Sequence, residues 1–561
     1  MAHSVYGLLA ETIQKFPDQL AARYKEAGQW QDLTWAQVGQ KVHQVATRLI
    51  ELGIEPDDRV VILSKTRLEW ALADLGILAA GACTVPIYHS NIAKDAAYIF
   101  ANSGASLAIV EDAEQAAKLP GVRTLLITEI FSKSINLSEI EKRTARLLES
   151  HLATIIYTSG TTGEPKGACL THDNLLYEAQ AIEKIGLLSN QDTQLLFLPL
   201  AHVFAKVVVI AWLKTAHVLC FAESIEKAVD NMKEVQPTFM AAVPRVYEKV
   251  HARILSKARS GGRLKKIISN WALAQQKRPK GLKWLIAQKL VFNKIGAGLK
   301  ETFGGRLRFF VSGGAPLNPE IGLFFQHAGV IILEGWGLTE TTAATCVNLP
   351  NQNRIGTVGK PLPGTELQIA EDGEIWVRGR GVFQGYWKKP EQTRETLSDD
   401  GWFKTGDIGV IEPGGFLRIT DRKKDIIVTA GGKKIAPQKL ENALKSKTSL
   451  IAQVLVYGDQ RQYLVALVTL DEIALKEFAK RKKLKGSYAQ LTQNQLIMRK
   501  IQQAINGMNQ SLASFEQLKK FRILDHDFTV GDQLTPTLKV KRSYCAQKYR
   551  GELDSLYTVG M

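Results

Sequence analysis

Between Arg59 and Tyr88 the chain runs from a continuous apolar stretch, RVVIL at Arg59 to Leu63, through a helical pattern over Glu69 to Ala80, into a second apolar stretch from Cys83. Strand, helix and strand in that order predict parallel pairing, with helices covering both faces of the sheet. The expected class is therefore α/β, a large N-terminal domain of layered α/β subdomains. Two further strand patterns, Ile451 to Tyr457 and Tyr463 to Leu470, predict a small α+β domain at the C-terminal end. A length of 561 residues requires more than one core.

The opening residues MAHSVYGLLAETIQKFPDQ have no basic leader and no cleavage site, so they do not read as a signal peptide. The longest apolar runs, Leu75 to Tyr88 and Val207 to Ala222, are too short or carry a charge, Lys214 in the second, and read as core. Five scattered cysteines (Cys83, Cys169, Cys220, Cys346, Cys545) form no CxxC pair, which fits a reducing cytoplasm and no zinc site.

The net charge of +17 is concentrated in one segment, Lys249 to Arg306, where fifteen Lys/Arg face a single acid, Glu301. Ile254, Leu255, Leu264, Ile267, Ile268, Trp271, Leu273, Trp284, Leu285, Leu290, Val291 and Phe292 are interleaved at helical spacing. Two readings stand beside each other: a solvated helical hairpin packed on the body, or basic amphipathic helices at an anionic lipid surface. Nucleic acid is not expected, because no recognition motif accompanies the charge.

Chemistry begins at Tyr157 to Gly167, YTSGTTGEPKG. Gly160, Gly163 and Gly167 let backbone amides approach an anion, Thr158, Ser159, Thr161 and Thr162 add hydroxyl donors, and Lys166 adds charge. An apolar run, Ala153 to Tyr157, precedes it and Asp173 is placed to cap a helix, so the loop is expected at a strand-to-helix junction. It is not a Walker loop, since Lys166 follows Pro165 and precedes Gly167. The alternative for the segment alone is an ordinary Gly/Thr turn. Downstream, the strand pattern Leu307 to Ser312 ends in Gly313-Gly314-Ala315-Pro316, a turn that admits a flat ring against bare backbone. A helical stretch, Pro319 to His327, and a strand, Val330 to Leu333, lead into Glu334-Gly335-Trp336-Gly337-Leu338-Thr339-Glu340, whose Gly-Trp-Gly by itself reads as a structural turn. Trp336 offers a stacking face, Thr339 a hydroxyl and Glu340 a hard oxygen suited to Mg²⁺.

In this order the three motifs make the chain resemble the adenylate-forming (AMP-binding) enzymes, and PLAHVFAK at Pro199 to Lys206, PRVYEK at Pro244 to Lys249 and TPTLKVKR at Thr535 to Arg542 resemble their long-chain fatty acid CoA ligases. The resemblance implies ATP and Mg²⁺ as cofactors, coenzyme A as co-substrate and a fatty acid as substrate. It implies phosphate binding by Thr158, Ser159, Gly160, Thr161, Thr162, Gly163 and Lys166, and a metal on Glu340 and Thr158. Gly313, Gly314, Ala315, Gly335, Trp336 and Gly337 then border the adenine and ribose, Asp407 of WFKTGD takes the ribose hydroxyls, and Arg422 contacts ribose and phosphate. Lys539, with Lys541 as its neighbouring competitor, is the adenylation lysine; Thr339 and Glu340 complete the catalytic set. The same resemblance sets residues 1–421 as the N-terminal AMP-binding domain, 422–425 as a hinge centred on Lys424, and 426–561 as the catalytic-lysine domain, a small mobile α+β domain whose Gly431, Gly432 and Lys433 border the CoA side. His202 is the acyl-site candidate. Leu538 stands where many relatives have glycine, and Lys206 where some long-chain members carry a gating tryptophan, which leaves chain length open.

The expected function is activation of a medium-to-long-chain fatty acid to acyl-AMP and its transfer to CoA, in the cytoplasm, with peripheral contact at the inner membrane face through 249–306. The rivals are loading of a carrier protein, release of bare acyl-AMP, or a non-catalytic basic protein on membrane or nucleic acid. Oligomeric state stays open.

Overall fold

The computed structural model describes residues 2–158, 164–260, 263–276, 279–535 and 539–557, with backbone alone for 256–260 and 263–266. Two large sheets dominate. One runs in the order Gly385–Tyr386, Lys166–Thr171, Leu152–Thr158, Cys83–Tyr88, Arg59–Ser64, Leu107–Val110, Thr124–Leu126. From Leu152–Thr158 onward its neighbours are parallel, as the alternation of strand and helix requires. The other has a parallel centre, Ile331–Trp336, Phe309–Ser312, Phe239–Ala242, Thr193–Leu196, Val218–Phe221 and Leu20–Glu26, with short antiparallel strands at both edges.

Helices between the sheets carry the main core. Val203–Thr215 and Leu68–Ala79 are apolar on nearly every face, so almost all of each helix is buried. Trp35 stacks on Trp212 with ring centroids 4.7 Å apart, and the Trp212 indole donates to the Ala21 carbonyl at 2.8 Å. The two apolar runs read as core from the sequence lie here. Among the described residues no helix is long and apolar enough to cross a membrane, and all five cysteines are buried and free.

One charge pair interrupts this apolar layer. Lys206 Nζ lies 2.6 Å from both carboxylate oxygens of Asp74, with side chains only 3% and 1% exposed. The position that could have held a gating tryptophan thus holds a buried ammonium tied to the neighbouring helix.

Two element expectations are corrected. The segment after Tyr157 joins antiparallel strands, with Thr158 opposite Lys166, instead of a strand and a helix. The helix that follows, His172–Lys184, is capped by Thr171 in a reciprocal box with Asn174, while Asp173 pairs with Arg380. Trp336 is the last residue of a strand, opposite Cys346, and not part of a turn. In the first case the strand Lys166–Thr171 comes between the loop and the helix, and in the second β pairing with Cys346 overrides the local turn signal of Gly335 and Gly337.

A four-stranded antiparallel sheet, Thr365–Ile369, Glu374–Gly379, Phe403–Glu412 and Phe416–Arg422, leads to residues with their own cores, built from Ile427 onward on Ile451–Tyr457, Leu464–Leu470 and Leu518–Ile523. The C-terminal part reaches back at Arg245, 3.7 Å from Asp471, and at Asn318, which donates to the Asn442 carbonyl at 3.5 Å.

Candidate active site

Asp407 is the centre of the site. It lies directly opposite Arg422 in the antiparallel pair Phe403–Glu412/Phe416–Arg422, so strand register alone brings the two side chains together. Arg422 Nε donates to Asp407 Oδ1 at 2.8 Å, and the Trp336 indole donates to Oδ2 at 2.8 Å. Three motifs separated by 86 residues of chain, Trp336 to Arg422, meet on one carboxylate. Each oxygen keeps lone-pair capacity for a further donor. Burial works against the charge on Arg422, but Asp407 and Glu340 outweigh it and hold the guanidinium above its usual range.

Glu340 sits in a tight turn, Thr339–Thr341, followed by Thr342 and Ala343 with φ of 55° and 75°. Gly337 is required here: a Cβ would fall 1.6 Å from the Ala343 carbonyl oxygen. The Tyr386 hydroxyl donates to Glu340 Oε1 at 2.8 Å, and Lys166 Nζ stands 5.2 Å from the centroid of the Tyr386 ring. Tyr386 pairs with Ala168 at the edge of its sheet, which is what lets it join the phosphate-loop strand to the Glu340 turn. Sequence reasoning missed Tyr386; its signal was a Gly-Tyr-Trp run followed by Lys388 and Lys389, which carries no chemistry by itself. Thr158 donates to the Lys166 carbonyl at 3.4 Å. Ser159, Gly160, Thr161, Thr162 and Gly163 lie outside the described residues.

Gly313 is buried against the Phe204 ring, where a Cβ would sit 3.3 Å from the ring edge, and Ala315 is exposed beyond it. Phe204 opens the helix capped by His202, whose Nδ1 accepts from the Phe204 amide at 3.1 Å. That bond leaves the proton on Nε2. Burial, reinforced by the charge of Lys539, lowers the imidazole to about 4, so His202 is neutral at pH 7.

Lys539 keeps part of its surface in solvent and lies within charge range of Arg422, Lys424, Asp407 and Asp425. Its backbone is fixed by a bond from the Thr535 amide to the Lys539 carbonyl at 2.8 Å and another from the Lys539 amide to Thr535 Oγ1 at 3.1 Å. Desolvation, then the cations Arg422 and Lys424, push its ammonium down to about 8 against the pull of Asp407 and Asp425. Lys541 instead donates to the Gly531 carbonyl at 3.1 Å, within the C-terminal part.

The turn that carries Gly431, Gly432 and Lys433 is not drawn into this centre, whereas Lys424 lies within charge range of Lys539, Arg422, Glu340 and Asp407. Gly431, Gly432 and Lys433 form an exposed turn between Ile427–Val428 and Lys434–Ile435, with Gly432 at φ 71°; the turn meets Arg461 through the Ala430 amide, and Lys433 lies over Phe515. Lys424 makes no ion pair among the described residues, whereas its neighbour Lys423 is tied to Asp372 at 2.6 Å and Glu374 at 2.8 Å.

The chain has known relatives. The AMP-binding enzyme family model matches residues 9–387, and the AMP-binding enzyme C-terminal domain model matches 424–560. The chain is 37% identical to the long-chain-fatty-acid–CoA ligase FadD15 of Mycobacterium bovis, over 99% of this chain and 97% of the relative. It is 31% identical to human long-chain-fatty-acid–CoA ligase 1, over 94% and 82% of the two chains. The fold is similar to O-succinylbenzoate coenzyme A synthetase of Bacillus subtilis in complex with AMP, with TM-score 0.72, 21% identity and coverage of 96% and 97%. It is equally similar to ATP-bound MatB of Rhodopseudomonas palustris, with TM-score 0.72, 23% identity and coverage of 99% and 100%.

Proposed function

Because the chain belongs to the AMP-binding enzyme family, we propose that it is a long-chain fatty acid CoA ligase that converts fatty acid, ATP and CoA to acyl-CoA, AMP and pyrophosphate. The observation that carries this reading is the convergence of Asp407, Arg422, Trp336 and Lys539, together with a neutral His202, on one cleft.

In the first step a carboxylate oxygen attacks the α-phosphorus of ATP and the bond to the bridging oxygen breaks, releasing pyrophosphate. Two anions must approach each other, so the protein acts chiefly by positioning and by placing positive charge where negative charge develops. Lys539 and Arg422 supply that charge at the α-phosphate, and Lys166 holds the outer phosphates. Asp407 keeps lone pairs for the ribose hydroxyls, with Trp336 beside it, and the His202 Nε2–H is free to orient the incoming carboxylate. The second oxygen of Glu340 and the Thr158 hydroxyl are hard donors of the kind Mg²⁺ takes, and the ion supplies neutralisation of phosphate charge when bound.

In the second step the CoA sulfur attacks the acyl carbon and AMP leaves. Lys539 occupies the side from which a thiol must come, so we assign 422–425 as a hinge about which residues 426–561 turn, bringing Gly431, Gly432 and Lys433 to residues 1–421. Lys423, bound to Asp372 and Glu374, anchors the fixed side of that hinge. The basic segment 249–306 is assigned to peripheral contact with an anionic membrane face.

The test is AMP release from Mg·ATP with a panel of fatty acids, each with and without CoA. CoA-dependent release that peaks at a long chain supports the ligase. Pyrophosphate release without CoA dependence points to a carrier-protein or bare acyl-adenylate enzyme, and no turnover on any fatty acid overturns the substrate class.

A further inference from the structure

The basic segment does not present the residues that its sequence spacing suggests. Trp271, Trp284 and Val291 turn inward against the core, and Phe292 is fully buried. Trp284 packs on His327 and Phe292, with centroids 4.5 and 5.3 Å apart. What faces solvent is the opposite edge of one short element, the helix Leu282–Ala287 and the π-helical turn Gln288–Phe292 that continues it. On that edge Leu282 is 73% exposed, Leu285 63%, Ile286 41% and Leu290 48%. Lys280, Lys283, Lys289 and Lys294 are exposed around them and have no ion-pair partner among the described residues. The adjoining helix Arg263–Gln275 packs against this element and exposes Ile267 and Ile268.

Four large apolar side chains in nine positions, open to water and ringed by unpaired lysines, form a surface that water alone does not satisfy. We infer that Leu282–Leu290 is the element by which the protein docks on an anionic phospholipid bilayer, its leucines and isoleucine entering the acyl boundary while Lys280, Lys283 and Lys289 reach the headgroups. This rests on the membrane reading given above and names the residues that carry it. A nucleic acid would engage the lysines and leave the apolar edge exposed; a bilayer engages both. The tryptophans cannot serve as the anchors, because they hold the element to the body. The long-chain acid that the enzyme consumes partitions into the same surface, so docking places the cleft where its substrate is concentrated.

The experiment is flotation of the full-length protein with phosphatidylcholine vesicles, with and without phosphatidylglycerol. The wild-type chain is expected to float with the anionic vesicles only. Leu282→Ser/Leu285→Ser is expected to weaken that partition about tenfold per leucine, and Lys280→Gln/Lys283→Gln/Lys289→Gln about fivefold per lysine. Both variants are to be checked for unchanged turnover of a water-soluble short-chain acid, which shows that they fold. Lys480→Gln/Lys482→Gln/Lys483→Gln, neutralising an exposed cluster on the C-terminal part, is expected to float as wild type. Wild-type flotation that neither Leu282–Leu290 variant reduces, or that the distant control reduces as much, overturns the assignment to this element and leaves membrane contact standing. Equal flotation with neutral vesicles overturns the role of the lysines. Absence of wild-type flotation, or retention on nucleic acid instead, overturns the membrane reading itself.

Discussion

The Tyr386 phenol donates a 2.8 Å hydrogen bond to the Glu340 carboxylate while its ring lies beneath Lys166, so one aromatic residue couples the phosphate-loop strand to the proposed metal ligand. Tyr386→Phe keeps the ring and removes the bond. A hydrogen bond to a charged group contributes about 1.5–3 kcal/mol, so kcat/KM for Mg·ATP is expected to fall about tenfold or more. An unchanged Mg²⁺ and ATP dependence would show that Glu340 needs no such orientation.

Desolvation and the neighbouring cations push the Lys539 ammonium down to about 8, so half of its charge is gone there and the rest is lost as pH rises further. Acyl-adenylate formation, followed by ATP–pyrophosphate exchange, should therefore decline as pH rises through about 8, well before an ordinary lysine loses its proton. Lys539→Arg should abolish that alkaline limb, and Lys539→Ala should lower exchange by at least two orders of magnitude, given about 3–4 kcal/mol for a lost transition-state contact. An alkaline limb that persists in Lys539→Arg assigns the titration to another group.

At the proposed hinge, Lys424→Pro restricts the backbone about which the proposed rotation between the two half-reactions turns. Exchange is expected to persist and CoA-dependent AMP release to fail. Loss of exchange with thiolysis intact would place the pivot elsewhere.

The buried pair Asp74–Lys206 predicts an asymmetry in stability. Asp74→Ala leaves an uncompensated buried ammonium and should destabilise by about 3–5 kcal/mol in denaturant titration, while Asp74→Leu/Lys206→Met should be far milder. Additive losses in the double variant would mean that the two charges do not act as a pair.

Glu334 gives a pH dependence of opposite origin. Burial raises its carboxyl to about 7, even though the Gly356 amide donates to it at 3.1 Å. The folded state therefore holds a proton that the unfolded chain gives up near 4.5. The stabilisation is complete below that pH and is lost as pH rises to about 7, amounting to about 3 kcal/mol. Glu334→Gln should flatten stability between pH 4.5 and 7; a variant with the wild-type slope removes Glu334 from the account.

Much of the molecule was legible from local pattern. The apolar runs around Arg59, Cys83 and Ile451 read as strands because their burial on both faces demands uninterrupted hydrophobicity, and the charge and glycine content of the motifs pointed to phosphate. Where local signals competed with pairing, reading failed: Trp336 looked like turn chemistry but is strand, and Thr171, not Asp173, caps the helix after the phosphate segment. Trp271 and Trp284 share their helical spacing with the exposed leucines, and periodicity identifies a face without saying which way it turns.

The sequence by itself determined the α/β class, the order of the motifs and the family, because these depend on residue types and spacings along one chain. Only the tertiary structure decided that Arg422 and Trp336 share the Asp407 carboxylate, that Tyr386 reaches Glu340, that Lys206 is neutralised by Asp74, and that Leu282 and Leu285 face water. Each of these is a meeting of side chains, or an orientation, set by sheet register and helix packing across tens to hundreds of residues, and no local pattern encodes it.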